Sequence, residues 1–346
     1  ILIITHPLIG NYGVPDRNIK ENGIPLHYES DKIQVEALVV AYETDPSHWA
    51  STMSLHQWLK SEGIPGVSNV DTRMLVEHIR EKGTVMAVVA VYPENEEIDV
   101  EQLKKILERT ERYDYKNLVD MVAPPKTILH VPDHGYDDTV VLIDCGVKYG
   151  IVRELLRRRI RVIRIPPREN PIKCLEEYNA SGVVISNGPG NPALLTNVIE
   201  NCKILMEYSI PVLGICLGHQ LLSMAAGAKT FKLKYGHRGL NKPCLDLETG
   251  KCFVTSQNHG FAVDVESLNG TGLKLWAINA DDMTVEAVKH SKLPILSVQF
   301  HPEASPGPTD ASWIFDLFLN NLTFDPAHQA HAWHVRGQGH SLSLIH

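Results

Sequence analysis

The chain has 346 residues, enough for about two domains at ~150 residues each. Hydrophobic residues make up 43% and charged residues 21%, a soluble globular composition, and the formal net charge of −8 argues against a nucleic-acid partner, whose phosphates need a concentrated basic surface. No apolar stretch approaches the ~20 residues of a membrane span.

Residues 1–120 read as a small mixed domain. Its start, Ile1-Leu2-Ile3-Ile4-Thr5, is too short for a signal peptide and lacks a basic leading region. It reads as a strand that begins abruptly without Met, so this domain is expected to be N-terminally incomplete. Residues 35–42 form a second apolar, β-branched run. Met53, Leu55, Trp58 and Leu59 have helical spacing within 49–62, and Gly63-Ile-Pro-Gly66 stops the pattern. Asp71 looks like the N-cap of a helix over 72–82 that Gly83 ends. Pro124, Pro125, Pro132 and Gly135 sit among polar residues and mark 121–138 as a linker.

From 139 onward strands and helices alternate. Strand runs at 140–144, 161–165, 182–186 and 211–215 are separated by helical patterns at 147–159, 171–178 and 195–208. Such an order predicts an α/β fold with an open, mostly parallel sheet covered by helices on both faces. The basic run 153–164 is expected to be the solvated face of a helix. Further strands are expected at 252–255, 273–278 and 295–300, and a closing amphipathic helix at 310–322. The polar, His-rich segment 323–346 has no apolar period and reads as a disordered tail. His328-x-x-His331-x-x-His334 within it reads as incidental. Six scattered cysteines without a C-x-x-C indicate neither a disulfide framework nor a zinc site, and fit a reducing cytoplasm.

One cysteine stands apart. In Pro211-Val-Leu-Gly-Ile-Cys216-Leu-Gly-His-Gln220 an apolar strand ends, Gly214 and Gly218 bracket Cys216, and an apolar helix follows. This is the nucleophile-elbow layout, in which a sharp strand-to-helix turn lifts the nucleophile above the sheet. The following helix N-terminus places partial positive charge behind the sulfur. A buried structural role suits the other five cysteines. A nucleophilic cysteine needs a base, and the base an orienting group. Phe300-His301-Pro302-Glu303 follows an apolar strand, so His301 falls at the sheet edge where Cys216 emerges. His301 can carry the proton and Glu303 can fix its tautomer.

Asn187-Gly188-Pro189-Gly190-Asn191-Pro192 also follows a strand. Its prolines and glycines predict a rigid loop with outward amides, suited to an oxyanion hole. The spacing Gly188-x-Gly190-x-x-Ala193 formally matches a dinucleotide fingerprint. Pro192, however, removes an N–H needed there, and no acidic residue ends a strand about 20 residues on. There is no P-loop. Ser256-Gln-Asn-His-Gly-Phe261 reads as a polar turn between strands.

Together these motifs resemble the class I, triad-type glutamine amidotransferases, with the match running over 139–322. Within that family the chain resembles the small subunit of carbamoyl phosphate synthase. Ser256-Gln-Asn-His-Gly-Phe261, Val298-Gln-Phe-His-Pro-Glu303 and Tyr235-Gly-His-Arg-Gly239 carry that likeness. So do Thr5-His-Pro-Leu-Ile-Gly-Asn-Tyr-Gly-Val-Pro15, Gly63-Ile-Pro-Gly66 and Asp71-Thr-Arg73 in the N-terminal domain. The resemblance implies Cys216, His301 and Glu303 as catalytic triad. It implies glutamine contacts at Gly188, Gly190, Leu217, Gln220, Asn258, Gly260 and Phe261, with the Gly190 and Leu217 amides as oxyanion hole. A further glutamine-contacting serine is expected upstream of Ile1. The implied chemistry is glutamine hydrolysis in the cytoplasm, with ammonia passed to a large synthetase subunit for carbamoyl phosphate synthesis from bicarbonate, serving arginine and pyrimidine biosynthesis. No metal or cofactor is expected on this chain, and ATP and Mg belong on the large subunit. A non-catalytic docking subunit and a free-standing cysteine hydrolase of the same fold are the alternatives.

Overall fold

The computed structural model describes residues 1–322. The expected disordered tail at 323–346, with His328, His331 and His334, lies outside the described residues.

The larger part of the molecule is built on a ten-stranded sheet. Its centre is parallel, with strands in the order Ile295–Val298, Val212–Ile215, Gly182–Ile185, Asp138–Ile143 and Ile160–Ile165. These strands are nearly continuous apolar runs because both faces are covered. Val140 and Leu142 pack on one side with Ile151, Leu155, Phe315 and Phe318, from the helices Tyr149–Arg157 and Trp313–Asn320. Val141 and Ile143 alternate to the other side. There they meet Leu175, Leu205 and Leu221 from the helices Pro171–Tyr178, Thr196–Glu207 and Leu217–Ala225. No helix among the described residues is long and apolar enough to cross a membrane.

The expected parallel sheet with helices on both faces is the centre of a larger, mixed sheet. Beyond Ile295–Val298 it continues antiparallel through Val285–His290, Leu273–Asn279, Thr230–Asp246 and Cys252–Val263. Two of these strands, Thr230–Asp246 and Val285–His290, have no counterpart in the sequence reading. Thr230–Asp246 carries Lys232, Lys234, Gly236, Arg238, Gly239 and Pro243, so it lacks clean alternation. It forms because it pairs along Cys252–Val263, with irregularities between Lys232 and His237 and between Gly239 and Lys242. For the same reason Ser256–Phe261 is not a turn, since it lies inside Cys252–Val263.

The expected linker supplies structure. Val119–Val122 is helical, and Ile128–His130 adds an antiparallel edge strand to Ile160–Ile165. The N-terminal region has a three-stranded parallel sheet of Leu2–Ile4, Leu38–Val40 and Gly66–Val67. Leu38, Val40 and Leu59 form its small core, the last from the helix Leu55–Ser61. The expected helix over 49–62 starts only at Leu55, because Ser54 and Gln57 close a capping box there and Ser51–Met53 is a strand. Asp71 caps the helix Thr72–Lys82 as expected, accepting from the Met74 amide at 2.9 Å.

The basic run is only in part a solvated face: Arg157 and Arg159 are exposed, but Arg153 is not. Arg153 is buried, donates to the Pro25 and Tyr28 carbonyls at 2.8 and 2.9 Å, and pairs with Glu29. Arg157 reaches Glu21 at 2.7 Å. These contacts bind the N-terminal segment 20–30 onto the helix that precedes the sheet's second parallel strand. Helical periodicity hid them because their acceptors lie more than 120 residues away.

Candidate active site

The register of the two central strands sets the site. Ile215 lies opposite Val298, so Cys216 and His301 leave the sheet at the same edge. The Cys216 amide donates to the Val298 carbonyl at 2.8 Å, and the His301 amide donates to Ser256 at 2.9 Å. Each of these two residues is thus pinned by backbone to a neighbouring strand.

Cys216 adopts φ 54° and ψ −100°, a conformation L residues avoid. The surroundings enforce it. A Cβ on Gly218 would stand 2.2 Å from the Ile185 carbonyl oxygen, so the helix can follow the strand this closely only with glycine there. Backbone strain held by packing is a mark of sites where a side chain must be displayed.

His301 Nδ1 donates to Glu303 Oε1 at 2.7 Å, and both residues are buried. Burial by itself lowers the imidazole pKa, but the charges of Glu303 and Cys216, with hydrogen bonds to both, raise it above the ordinary histidine value. Burial raises the Glu303 pKa, and His301 and Lys148 overcome it, holding the carboxyl below its usual range.

Lys148 was not singled out by the sequence reading. Its Nζ lies 3.0 Å from Glu303 Oε1 and donates to the Ala304 carbonyl at 2.7 Å. Its position just beyond the C-terminal end of the parallel strand Asp138–Ile143 was the one available signal. The Lys148 amide also donates to Asn187 Oδ1 at 3.0 Å, which ties this corner to the glycine-proline loop.

That loop lies against the elbow. A Cβ on Gly188 would meet the Leu217 side chain at 2.7 Å, and Gly190 adopts φ 94°. Among the described residues neither the Gly190 nor the Leu217 amide has a hydrogen-bond partner. Two unpaired amides beside a nucleophile are suited to an oxyanion.

Gln220 is buried one turn after Cys216, and its Nε2 donates to the Phe261 carbonyl at 2.8 Å and to Gln299 Oε1 at 2.9 Å. Phe261 is therefore brought to the site through its backbone. Asn258 is exposed and Gly260 half-buried, both on the same strand and, by alternation, on the same side. Among the described residues His237, His259 and Glu286 also converge, as a cluster that does not include Cys216, His301 or Glu303.

A family model for class-I glutamine amidotransferases matches residues 141–321, and a model for the carbamoyl-phosphate synthase small chain, CPSase domain, matches residues 1–89. The chain is 50% identical over 323 residues to the carbamoyl phosphate synthase small chain of Pyrococcus furiosus, covering 93% of this chain and 85% of that one. It is 48% identical over 318 residues to the corresponding chain of Sulfurisphaera tokodaii, covering 92% and 82%. A carbamoyl phosphate synthase arginine-specific small chain from Phaeosphaeria nodorum is 44% identical over 332 residues, covering 95% and 67%.

Proposed function

The chain belongs to the carbamoyl-phosphate synthase small-chain family, and from that premise we propose that it is the glutamine-hydrolysing subunit, with Cys216 as nucleophile, His301 as proton carrier and Glu303 as the group that orients it. The observation that carries the reading is the strained Cys216 elbow facing a His301–Glu303 pair closed at 2.7 Å.

The Cys216 thiolate attacks the γ-carbonyl carbon of glutamine. The oxygen gains negative charge and rests on the Gly190 and Leu217 amides. As the C–N bond breaks, His301 gives its proton to the departing nitrogen, and ammonia leaves a γ-glutamyl thioester. Water then adds to the thioester, giving its proton to His301, and the C–S bond breaks to release glutamate. Glu303 holds the imidazole throughout, and Lys148 holds Glu303.

Ammonia is mostly protonated at neutral pH and is then no nucleophile, so productive use requires direct transfer to an acceptor site. No P-loop occurs in the sequence. The ATP-dependent steps are assigned to a large synthetase subunit, which would use bicarbonate and the ammonia to make carbamoyl phosphate for arginine or pyrimidine synthesis. Gly188, Gln220, Asn258, Gly260 and Phe261 are assigned to glutamine binding.

The test is steady-state glutamate release by the chain alone, then with the large subunit, bicarbonate and ATP. The expected result is slow release alone, acceleration by the partner, and loss of both in Cys216→Ser. Full activity alone, unchanged by the partner, would favour a free-standing hydrolase. No activity in either condition would favour a docking role.

A further inference from the structure

The antiparallel end of the sheet brings His237, His259 and Glu286 together. His237 and His259 are cross-strand partners between Thr230–Asp246 and Cys252–Val263, with ring centroids 4.8 Å apart in edge contact. Glu286 comes from Val285–His290. All three are more than nine-tenths buried, and one ligand atom from each lies within 4.8 Å of the others.

Their outward atoms are already satisfied. His237 Nε2 donates to Asp282 Oδ2 at 2.8 Å, and His259 Nδ1 donates to the Phe261 carbonyl at 2.8 Å. Glu286 Oε1 accepts from Asn279 Nδ2 at 2.9 Å. His237 Nδ1 points inward, 3.8 Å from Glu286 Oε1, and His259 Nε2 is the ring nitrogen that the Phe261 carbonyl leaves free to face the cluster.

Among the described residues His237 Nδ1 and Glu286 Oε2 have no hydrogen-bond partner. His259 Nε2 faces Gln257 Oε1 at 3.4 Å, while the Gln257 amide nitrogen is turned to Thr255 at 3.1 Å. Buried polar atoms left without a partner are costly. A cation held among these side chains would supply the missing partner. Ligating histidines fixed from behind by a carboxylate or a backbone carbonyl are the arrangement that supports a metal.

We propose that His237, His259 and Glu286 form a zinc-binding site. Two imidazole nitrogens and one carboxylate suit Zn2+ better than hard, oxygen-preferring cations. The site joins the strand that carries Asn258, Gly260 and Phe261 to Thr230–Asp246 and Val285–His290, so the ion braces the wall of the pocket and takes no part in the thiol chemistry. The inference stands on the cluster alone and holds whether or not the glutaminase reading does.

The experiment uses the whole chain with Cys216→Ser, His328→Asn, His331→Asn and His334→Asn, which remove competing thiolate and tail ligands. Zn2+ is titrated against a chromogenic chelator, and the bound ion is examined by X-ray absorption. The expected result is one zinc per chain, imidazole scattering with Zn–N of about 2.0–2.1 Å, and at least tenfold weaker uptake in Glu286→Gln and in His237→Asn. Absence of uptake by the parent chain, or uptake unchanged by both substitutions, would overturn the proposal. If His237→Asn does not fold, the near-isosteric Glu286→Gln and the parent's absorption spectrum decide.

Discussion

Gln299 accepts a hydrogen bond from Gln220 at 2.9 Å, and both side chains are buried. The same Gln220 nitrogen donates to the Phe261 carbonyl at 2.8 Å. With its donors committed, Gln220 is held so that Oε1 is left as an acceptor without a partner among the described residues. Gln220 stands four residues after Cys216, on the same helical face. On the glutaminase reading that oxygen receives a donor from the substrate. The γ-nitrogen of glutamine must face His301 to leave as ammonia, so the donor is the α-ammonium group. Gln299 thus touches substrate only through Gln220, as a positioning residue.

Gln299→Met removes the acceptor at nearly constant volume and frees the Gln220 amide to rotate. One lost neutral hydrogen bond is worth about 0.5–1.5 kcal/mol, so KM for glutamine should rise about threefold to tenfold with kcat little changed. The preference for glutamine over glutaramate, which lacks the α-ammonium group, should shrink by a similar factor. A fall in kcat with KM and preference unchanged would contradict this role.

Cys216→Ser should abolish glutamine-dependent carbamoyl phosphate synthesis by the reconstituted complex and spare synthesis from added ammonia. Only amide cleavage uses the thiol. Both rates are measured on one preparation, and equal loss of the two would assign Cys216 to structure or assembly.

Glu303→Gln should slow glutamate release less than His301→Asn, because in the proposed mechanism His301 moves the proton in both half-reactions and Glu303 orients it. The pH profile gives a second reading. Glu303 raises the His301 pKa, and acylation needs His301 protonated so that ammonia can leave. Removing the carboxylate charge lowers that pKa, so the alkaline limb of kcat/KM should move to lower pH. Lys148→Met acts oppositely on Glu303, whose pKa should rise because a cation that lowers it is gone. The Lys148→Met enzyme should then lose activity at a higher pH on the acid side. Profiles that superimpose on the parent would refute the coupling.

Arg153→Met should destabilise the chain by about 3 kcal/mol, since it leaves Glu29 and two carbonyls without their buried partner. Glu29 retains some exposure, which moderates the loss. Chemical unfolding measures it. A change below about 0.5 kcal/mol would mean that the N-terminal segment is held mainly by other contacts.

Much of the site was legible because its determinants are local. Gly214, Cys216 and Gly218 encode a turn that only that spacing permits, and the apolar runs at 182–185 and 212–215 announce strands buried on both faces. The hydrogen-bonded pairing of His301 with Glu303 spans two residues. Lys148 was not legible, because its partner Ala304 lies 156 residues away. Nor was the strand Thr230–Asp246, whose charged and glycine-rich sequence gains its conformation from its neighbour.

By itself, then, the sequence determined the strand–helix alternation, the elbow at Cys216 and the residues at 301–303, since these depend on near-neighbour sterics and short-range periodicity. The tertiary structure decided which polar residues are buried and what they face. It turned the expected turn at 256–261 into an internal strand, converted a basic helix face into the anchor of the N-terminal segment, and set His237 across from His259. Those outcomes rest on pairing and charge compensation between segments far apart in the chain, and burial of a polar group is favourable only once its distant partner has arrived.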